Sequence, residues 1–190
     1  MLATALIFLI ETIGDLFTIA LLIRFFLQWA RAPQRNAVAD FVNALTNFAV
    51  RPLRRVIPGL WGLDLATLLL AWLVQLVQLF LILQLKGYGV DVTAQSSLAI
   101  ALLALLALFR LAIYVLIFVM IVQAVVSWVN PYSPIAPLLN ALTRPFLSPL
   151  QRVIPPVANV DLSPLIFIVV CQLILMVPVA YLQGALLQLM

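Results

Sequence analysis

The sequence predicts an all-α membrane protein of four transmembrane helices, arranged as two parallel helical-hairpin repeats that each carry an amphipathic interfacial connector. Three observations lead there. With 66% hydrophobic and 8% charged residues and a mean hydropathy of +1.25, a chain of 190 residues has too little polar surface to cover a water-soluble globule. Apolar runs at about 2–29, 65–85, 98–129 and 162–189 are each long enough for the roughly 20 residues that cross a hydrocarbon core. Segment 43–65 recurs 97 residues later as 140–162, identical at 12 of 23 positions. The matches include Asn, Thr, Pro, Arg and Asp, which a bias toward Leu, Val and Ala would not supply, so one unit has been duplicated.

The first repeat is expected to occupy residues 1–88, the second 98–190, with 89–97 as linker. The first span opens Met1-Leu-Ala-Thr-Ala without Lys or Arg, unlike the basic start of a secretory signal, and is expected to be retained. In connector 30–64, Val38, Phe41, Val42, Leu45, Phe48 and Ala49 fall at helical spacing, with Asn36, Asp40, Asn43 and Asn47 mostly opposite, which predicts an amphipathic helix on the membrane surface. Connector 130–161 repeats the design: Ser133-Pro134 is expected to cap and open a helix with an Ile135, Leu138, Leu139 and Leu142 stripe that Pro145 stops. A Pro-Leu-Xaa-Arg-Val-Ile-Pro box follows in each, Pro52–Pro58 and Pro149–Pro155, and its two prolines predict a short separate turn of helix. Asp64 and Asp161 stand at the entry of the next span, where a carboxylate caps free N–H groups and favours the positive helix end. Pro178, without a counterpart in the first repeat, is expected to kink the last span.

Arginine placement predicts orientation. Arg31, Arg35, Arg51, Arg54 and Arg55 lie in the first connector and Arg144 and Arg152 in the second, against Lys86 alone in the middle loop. By the positive-inside rule both connectors should be cytoplasmic and both termini outside. Each repeat then starts in the same orientation, with a pseudo-two-fold axis along the membrane normal. Arg54, Arg55 and Arg152 are the candidate contacts to anionic headgroups or to a membrane or cytoplasmic partner. Basic residues flanking a bilayer favour lipid over nucleic acid, which is not expected as a partner.

Ionisable or amide groups within spans need partners. Glu11 and Arg110 occupy equivalent positions when the first and third spans are aligned on Trp29 and Trp128, so they either pair across the axis or snorkel to the outer interface. Arg24, near the inner end of its span, is expected to snorkel. Gln75 and Gln172 match at the repeat offset and fall near the bilayer centre, either as hydrogen-bonded glue between the halves or as steps of a polar path.

Several chemistries are excluded. Histidine is absent and Cys171 is the single cysteine, which removes intramolecular disulfides and imidazole catalysis or ligation. No Ser-His-Asp set, metal-ligand cluster, Gly-rich phosphate loop or paired intramembrane aspartates can be found, so neither an enzyme nor a cofactor is expected. The leading function is a membrane assembly or scaffold factor working through the arginine boxes, with homo-oligomers open; the alternative is a small channel or osmolyte/ion permease.

The combination Arg24, Gln28-Trp29, Pro52-Leu-Arg-Arg-Val-Ile-Pro58 and Asp64, repeated as Ser127-Trp128, Pro149-Leu-Gln-Arg-Val-Ile-Pro155 and Asp161, resembles the YggT (YlmG) family, in its two-repeat proteobacterial form. The resemblance implies a non-enzymatic protein of the bacterial inner membrane connected with osmotic tolerance or envelope and division organisation and, in plastids, with cytochrome b6 maturation. It implies no molecular activity. Gln151 stands where the first box has Arg54, so a contact needing both arginines would be weaker in the second repeat.

Overall fold

The computed structural model describes residues 1–33, 36–57, 64–87, 94–130, 132–153 and 161–188, and among these there is no β-strand. Four helices are long and apolar enough to cross a membrane: α1 (Leu2–Trp29), α3 (Leu65–Leu85), α4 (Ala94–Val129), and a last span made of α6 (Ser163–Ile174), a π-helical turn Leu175–Val179 and α7 (Ala180–Leu187). The connectors form α2 (Ala37–Val56) and α5 (Ala136–Val153). The chain is therefore a multi-pass helical membrane protein of two hairpins. Its apolar side chains at Leu2, Phe8, Ile13, Leu16, Leu165 and Met176 are exposed on the outer surface of the bundle, as expected where lipid replaces water.

Each connector helix starts and packs for local reasons. Asn36 caps α2, its Oδ1 accepting from the Ala39 N–H at 2.9 Å. A stripe of Ala39, Val42, Thr46 and Val50, at spacings of three or four, is buried against the spans, while neighbouring Phe41 and Phe48 stay exposed. The second repeat buries the equivalent Leu139, Thr143 and Leu147. Thr46 and Thr143 satisfy their own hydroxyls by donating to the carbonyls of Val42 (2.7 Å) and Leu139 (2.9 Å).

The prolines do not end these helices. α2 continues through Pro52 to Val56, and α5 begins at Ala136, after a turn at Ser133-Pro134, and continues through Pro145 and Pro149 to Val153. The box is thus the final turns of each connector helix, not a separate element. An interior proline costs roughly 3 kcal/mol in an isolated helix; here buried Val50 precedes Pro52, buried Thr143 and Leu147 flank Pro145, and the turns beyond Pro52 and Pro149 are held by the Arg54–Asp64 and Gln151–Asp161 hydrogen bonds. Pro58 and Pro155 lie outside the described residues. Pro178 falls inside the π turn, a wider turn that accommodates the lost N–H without breaking the span.

Helix α4 joins the halves. It packs on α1 and α3 of the first hairpin and on α5, α6 and α7 of the second. Leu21 and Leu22 of α1, Val50 of α2, Ala71 of α3 and Leu108 and Val115 of α4 form one buried cluster. Small residues Ala66, Ala71, Ala99 and Ala104 are also buried, which lets α3 and α4 approach closely, and Trp72 of α3 donates to the Ala101 carbonyl at 3.1 Å. An exact two-fold would match the α3–α4 packing with α6 on α1, and α6 makes no comparable contact there. The sequence repeat is thus more regular than the packing. A second seam runs through Leu27, Ala32 and Ala39 with Leu138 and Leu142, and through the ring contacts Trp29–Phe146 (5.5 Å) and Phe146–Phe167 (5.4 Å).

Helix α1 ends in a Schellman motif. The Ala32 N–H returns to the Leu27 carbonyl (2.9 Å) and the Arg31 N–H to that of Gln28 (3.1 Å). This motif places its pivot residue in the left-handed region, and the pivot is Arg31, with φ 50°. Glycine is the usual occupant because a Cβ there is strained.

Candidate functional site

Asp64 is the centre of an ionic cluster where α1, α2 and α3 converge. It is only 2% exposed. Its Oδ1 accepts from the Thr67 N–H at 3.3 Å, capping α3, while Oδ2 accepts from the Thr67 hydroxyl and from Nη2 and Nε of Arg54, the latter at 3.1 Å. Arg54 Nη2 also donates to Gln28 Oε1 at 3.0 Å. Arg24 approaches from α1, its Nε 4.0 Å from the same oxygen, and Nη1 donates to Thr46 Oγ1 (2.7 Å) and Asn47 Oδ1 (2.9 Å). Burial alone would raise the Asp64 pKa; the hydrogen bonds from Arg54 and Thr67 and the Arg54 charge outweigh it and hold the carboxyl below its ordinary value.

Repeat symmetry exposes a substitution pattern. Arg24 corresponds to Gln123 at the span offset of 99, and Arg54 to Gln151 at the connector offset of 97. Both cations of the first cluster are thus glutamines in the second. Gln151 donates to Asp161 Oδ2 at 2.7 Å, and Gln123 donates to Asn140 Oδ1 at 2.9 Å. Asp161 is exposed and accepts the Ser163 N–H at 2.9 Å, one residue before the α6 N-cap at Leu162. Burial alone would raise its pKa, but the Ser163 and Gln151 hydrogen bonds together outweigh it and hold the carboxyl below its ordinary value. The hydrogen bond from connector helix to aspartate is kept, from Gln151 to Asp161, while the guanidinium charge is gone.

A second polar cluster lies within the first hairpin, between α1 and α3. Asp15 Oδ1 accepts from Nε2 of Gln75 (3.1 Å) and of Gln78 (3.0 Å), and Gln75 also reaches Thr18 Oγ1 at 3.2 Å. Gly14 permits this approach: a Cβ there would stand 2.1 Å from Gln78 Oε1. Repeat-equivalent positions carry Ile113, Tyr114, Ile117 and Leu175, so the second hairpin has no such cluster.

These contacts revise several sequence expectations. Gln75 bonds inside its own repeat, and Gln172 is exposed; they do not meet because α4 stands beside both α3 and α6, which do not pack comparably on each other. Glu11 and Arg110 are both exposed and form no ion pair among the described residues. Arg110 lies two residues, about 200° of helix, from the buried Leu108 and so faces away from that core. Arg24 does not snorkel; it is 8% exposed within the cluster. Arg54, expected to reach lipid or a partner, is held by Asp64 and Gln28. Arg55 and Arg152 are exposed. Asp15 stands out in the sequence as an ionisable span residue needing a partner, but sequence reasoning missed Gln75 and Gln78 as its partners, and Thr18, although two polar pairs at i, i+3 in facing spans were a usable signal. It also missed Arg31 and Arg144, which with Arg152 line one groove.

Duplicated membrane hairpins, each tying its connector helix to the following span through an acidic residue, define a class of repeat-built multi-pass membrane proteins. The chain belongs to the CCB3/YggT family, whose sequence model matches residues 3–85 and 102–182, one match per hairpin. It is similar to an uncharacterized protein of Pseudomonas aeruginosa (39% identity over 90% of this chain and 86% of the relative) and to Escherichia coli K12 YggT (33% identity, 89% and 86%). A Vibrio alginolyticus protein in the proC 3′ region is 32% identical over 85% of this chain and 86% of the relative. No solved structure matches the chain.

Proposed function

We propose that this protein is a non-enzymatic organiser of the inner membrane, anchored by its hairpins and acting through basic connectors that face the cytoplasm and engage anionic headgroups or a partner. One observation carries this reading. Asp15, Arg24, Gln75 and Gln78 of the first hairpin's spans are consumed by internal contacts, whereas Arg55 and Arg152 are exposed at the ends of the connector helices, the first of which also leaves Phe41 and Phe48 exposed. Amphipathic helices with free cations bind a membrane surface by combining apolar insertion with attraction to anionic lipid. The two hairpins act as separate inserting units, 1–88 and 98–190, and osmotic tolerance or envelope organisation is the physiological setting.

The permease reading has less support, because Gln75 is locked to Asp15 and Gln172 faces outward, so the two amides share no axis. The test is rescue of a deletion strain under osmotic upshift at matched membrane abundance. Arg55→Ala with Arg152→Ala should insert normally and fail to rescue, while Gln172→Leu should rescue fully. Rescue by the arginine variant together with failure of the glutamine variant would reverse the preference.

A further inference from the structure

The geometry points to a binding site for the phosphate of an anionic phospholipid headgroup in the groove between the two repeats, formed by Arg31, Arg144 and Arg152. This rests on, and sharpens, the lipid-engaging reading above. The groove has a volume of about 570 Å³ and is lined by these three arginines together with Ser148 and the ends of Pro145 and Pro149. Arg31 comes from the end of α1 and the other two from α5, so the site exists only when both repeats are assembled. All three side chains are exposed, and none has a hydrogen bond or ion pair among the described residues. This contrasts with Arg24 and Arg54, which share the carboxylate of Asp64. Three like charges gathered around one recess repel one another and favour a multivalent oxyanion, and guanidinium forks match phosphate geometry.

An independent observation concerns Arg31 itself. It occupies the left-handed pivot of the Schellman motif, with φ 50°, where glycine would close the helix without strain. Capping therefore does not account for an arginine here, whereas aiming a third cation into the groove does. A lipid is favoured over free phosphate as the source. Exposed Trp29, stacked on Phe146 at 5.5 Å, stands one residue before Ala30 of the groove lining, as Phe146 stands one after Pro145, and such a ring pair suits the headgroup–acyl boundary beside which a lipid phosphate would lie.

The test uses the full chain, delipidated in an uncharged maltoside detergent. Thermal unfolding is followed on titration with cardiolipin, phosphatidylglycerol, phosphatidylcholine or inorganic phosphate. The wild type should be stabilised by the two anionic lipids, and not by phosphatidylcholine or by inorganic phosphate at equal phosphate concentration. Arg31→Gly should melt no lower than wild type without lipid, because it relieves backbone strain, yet bind the anionic lipids about five-fold more weakly. Combining it with Arg144→Gln and Arg152→Gln should weaken binding by roughly a hundred-fold or more. Arg51→Gln, an equal loss of charge on an exposed connector arginine outside the groove, should weaken it less than about two-fold. Equal losses for Arg51→Gln and Arg31→Gly would overturn the groove while leaving a diffuse basic surface intact. No preference for anionic lipid in the wild type would overturn both readings, and equal stabilisation by inorganic phosphate would overturn the lipid assignment.

Discussion

Replacing Asp64 by Asn tests whether the ionic cluster holds the first connector to its hairpin. The substitution keeps an oxygen that can cap the Thr67 N–H, so it isolates the charge. What it leaves behind is Arg24, 8% exposed, facing Arg54 with no carboxylate between them. Breaking a buried pair by removing one partner costs about 3–5 kcal/mol, because the remaining charge is uncompensated. For a chain of this size such a loss corresponds to a fall of roughly 10 °C in Tm. The matched control is Asp161→Asn, where the carboxylate is exposed and meets only an amide and an N–H; its cost should stay within about 0.5 kcal/mol. Thermal unfolding in detergent, followed by tryptophan fluorescence, reads both. Equal losses for the two variants would refute the argument that burial and two guanidiniums distinguish Asp64. The same cluster sets an acid limit. The folded-state pKa of Asp64 lies below the unfolded value, so its stabilisation is complete above about pH 4 and is lost as pH falls through the folded pKa. Asp64→Asn should remove that part of the acid sensitivity.

Three further outcomes are expected. Gln75→Leu should cost about 1–2 kcal/mol by stripping an amide from Asp15 and Thr18, while Gln172→Leu should be near neutral; comparable losses in detergent melts would contradict the assigned contacts. Exchanging charges at Glu11 and Arg110 should show no coupling in a double-mutant cycle, since the side chains do not meet; restoration of stability by the double change would indicate that they do. In a Cys171→Ala background, a cysteine at Asn43 or Asn140 should resist an impermeant thiol reagent in intact cells while one at Gln95 reacts, and the opposite pattern would invert the orientation.

Much of the architecture follows from local information. Hydrophobic length defines the spans, since crossing the bilayer requires each segment to satisfy its own backbone, and the 97-residue offset from Asn43 to Asn140 defines two hairpins without any coordinates. Asp64 and Asp161 could be read as helix-entry residues because capping involves only neighbours three or fewer positions away. Even the loss of both cations in the second repeat, Arg24 to Gln123 and Arg54 to Gln151, is written in the alignment of the chain with itself. Partner choice is not local. Whether Arg24 snorkels or is buried depends on α2 returning across α1 to present Thr46 and Asn47. Whether Gln75 meets Gln172 or Asp15 depends on which helices lie against α3, and α4 beside it kept the repeat-related amides apart. The helical reach of the boxes through Pro52, Pro145 and Pro149 was likewise decided by tertiary contacts, the burial of Val50, Thr143 and Leu147 and the hydrogen bonds from Arg54 and Gln151 to Asp64 and Asp161, which outweighed a local preference to stop. The sequence repeat dictated two similar hairpins, and packing around α4 made their environments different. Equivalent positions thereby became a buried ion cluster in one half and an exposed carboxylate–amide contact in the other.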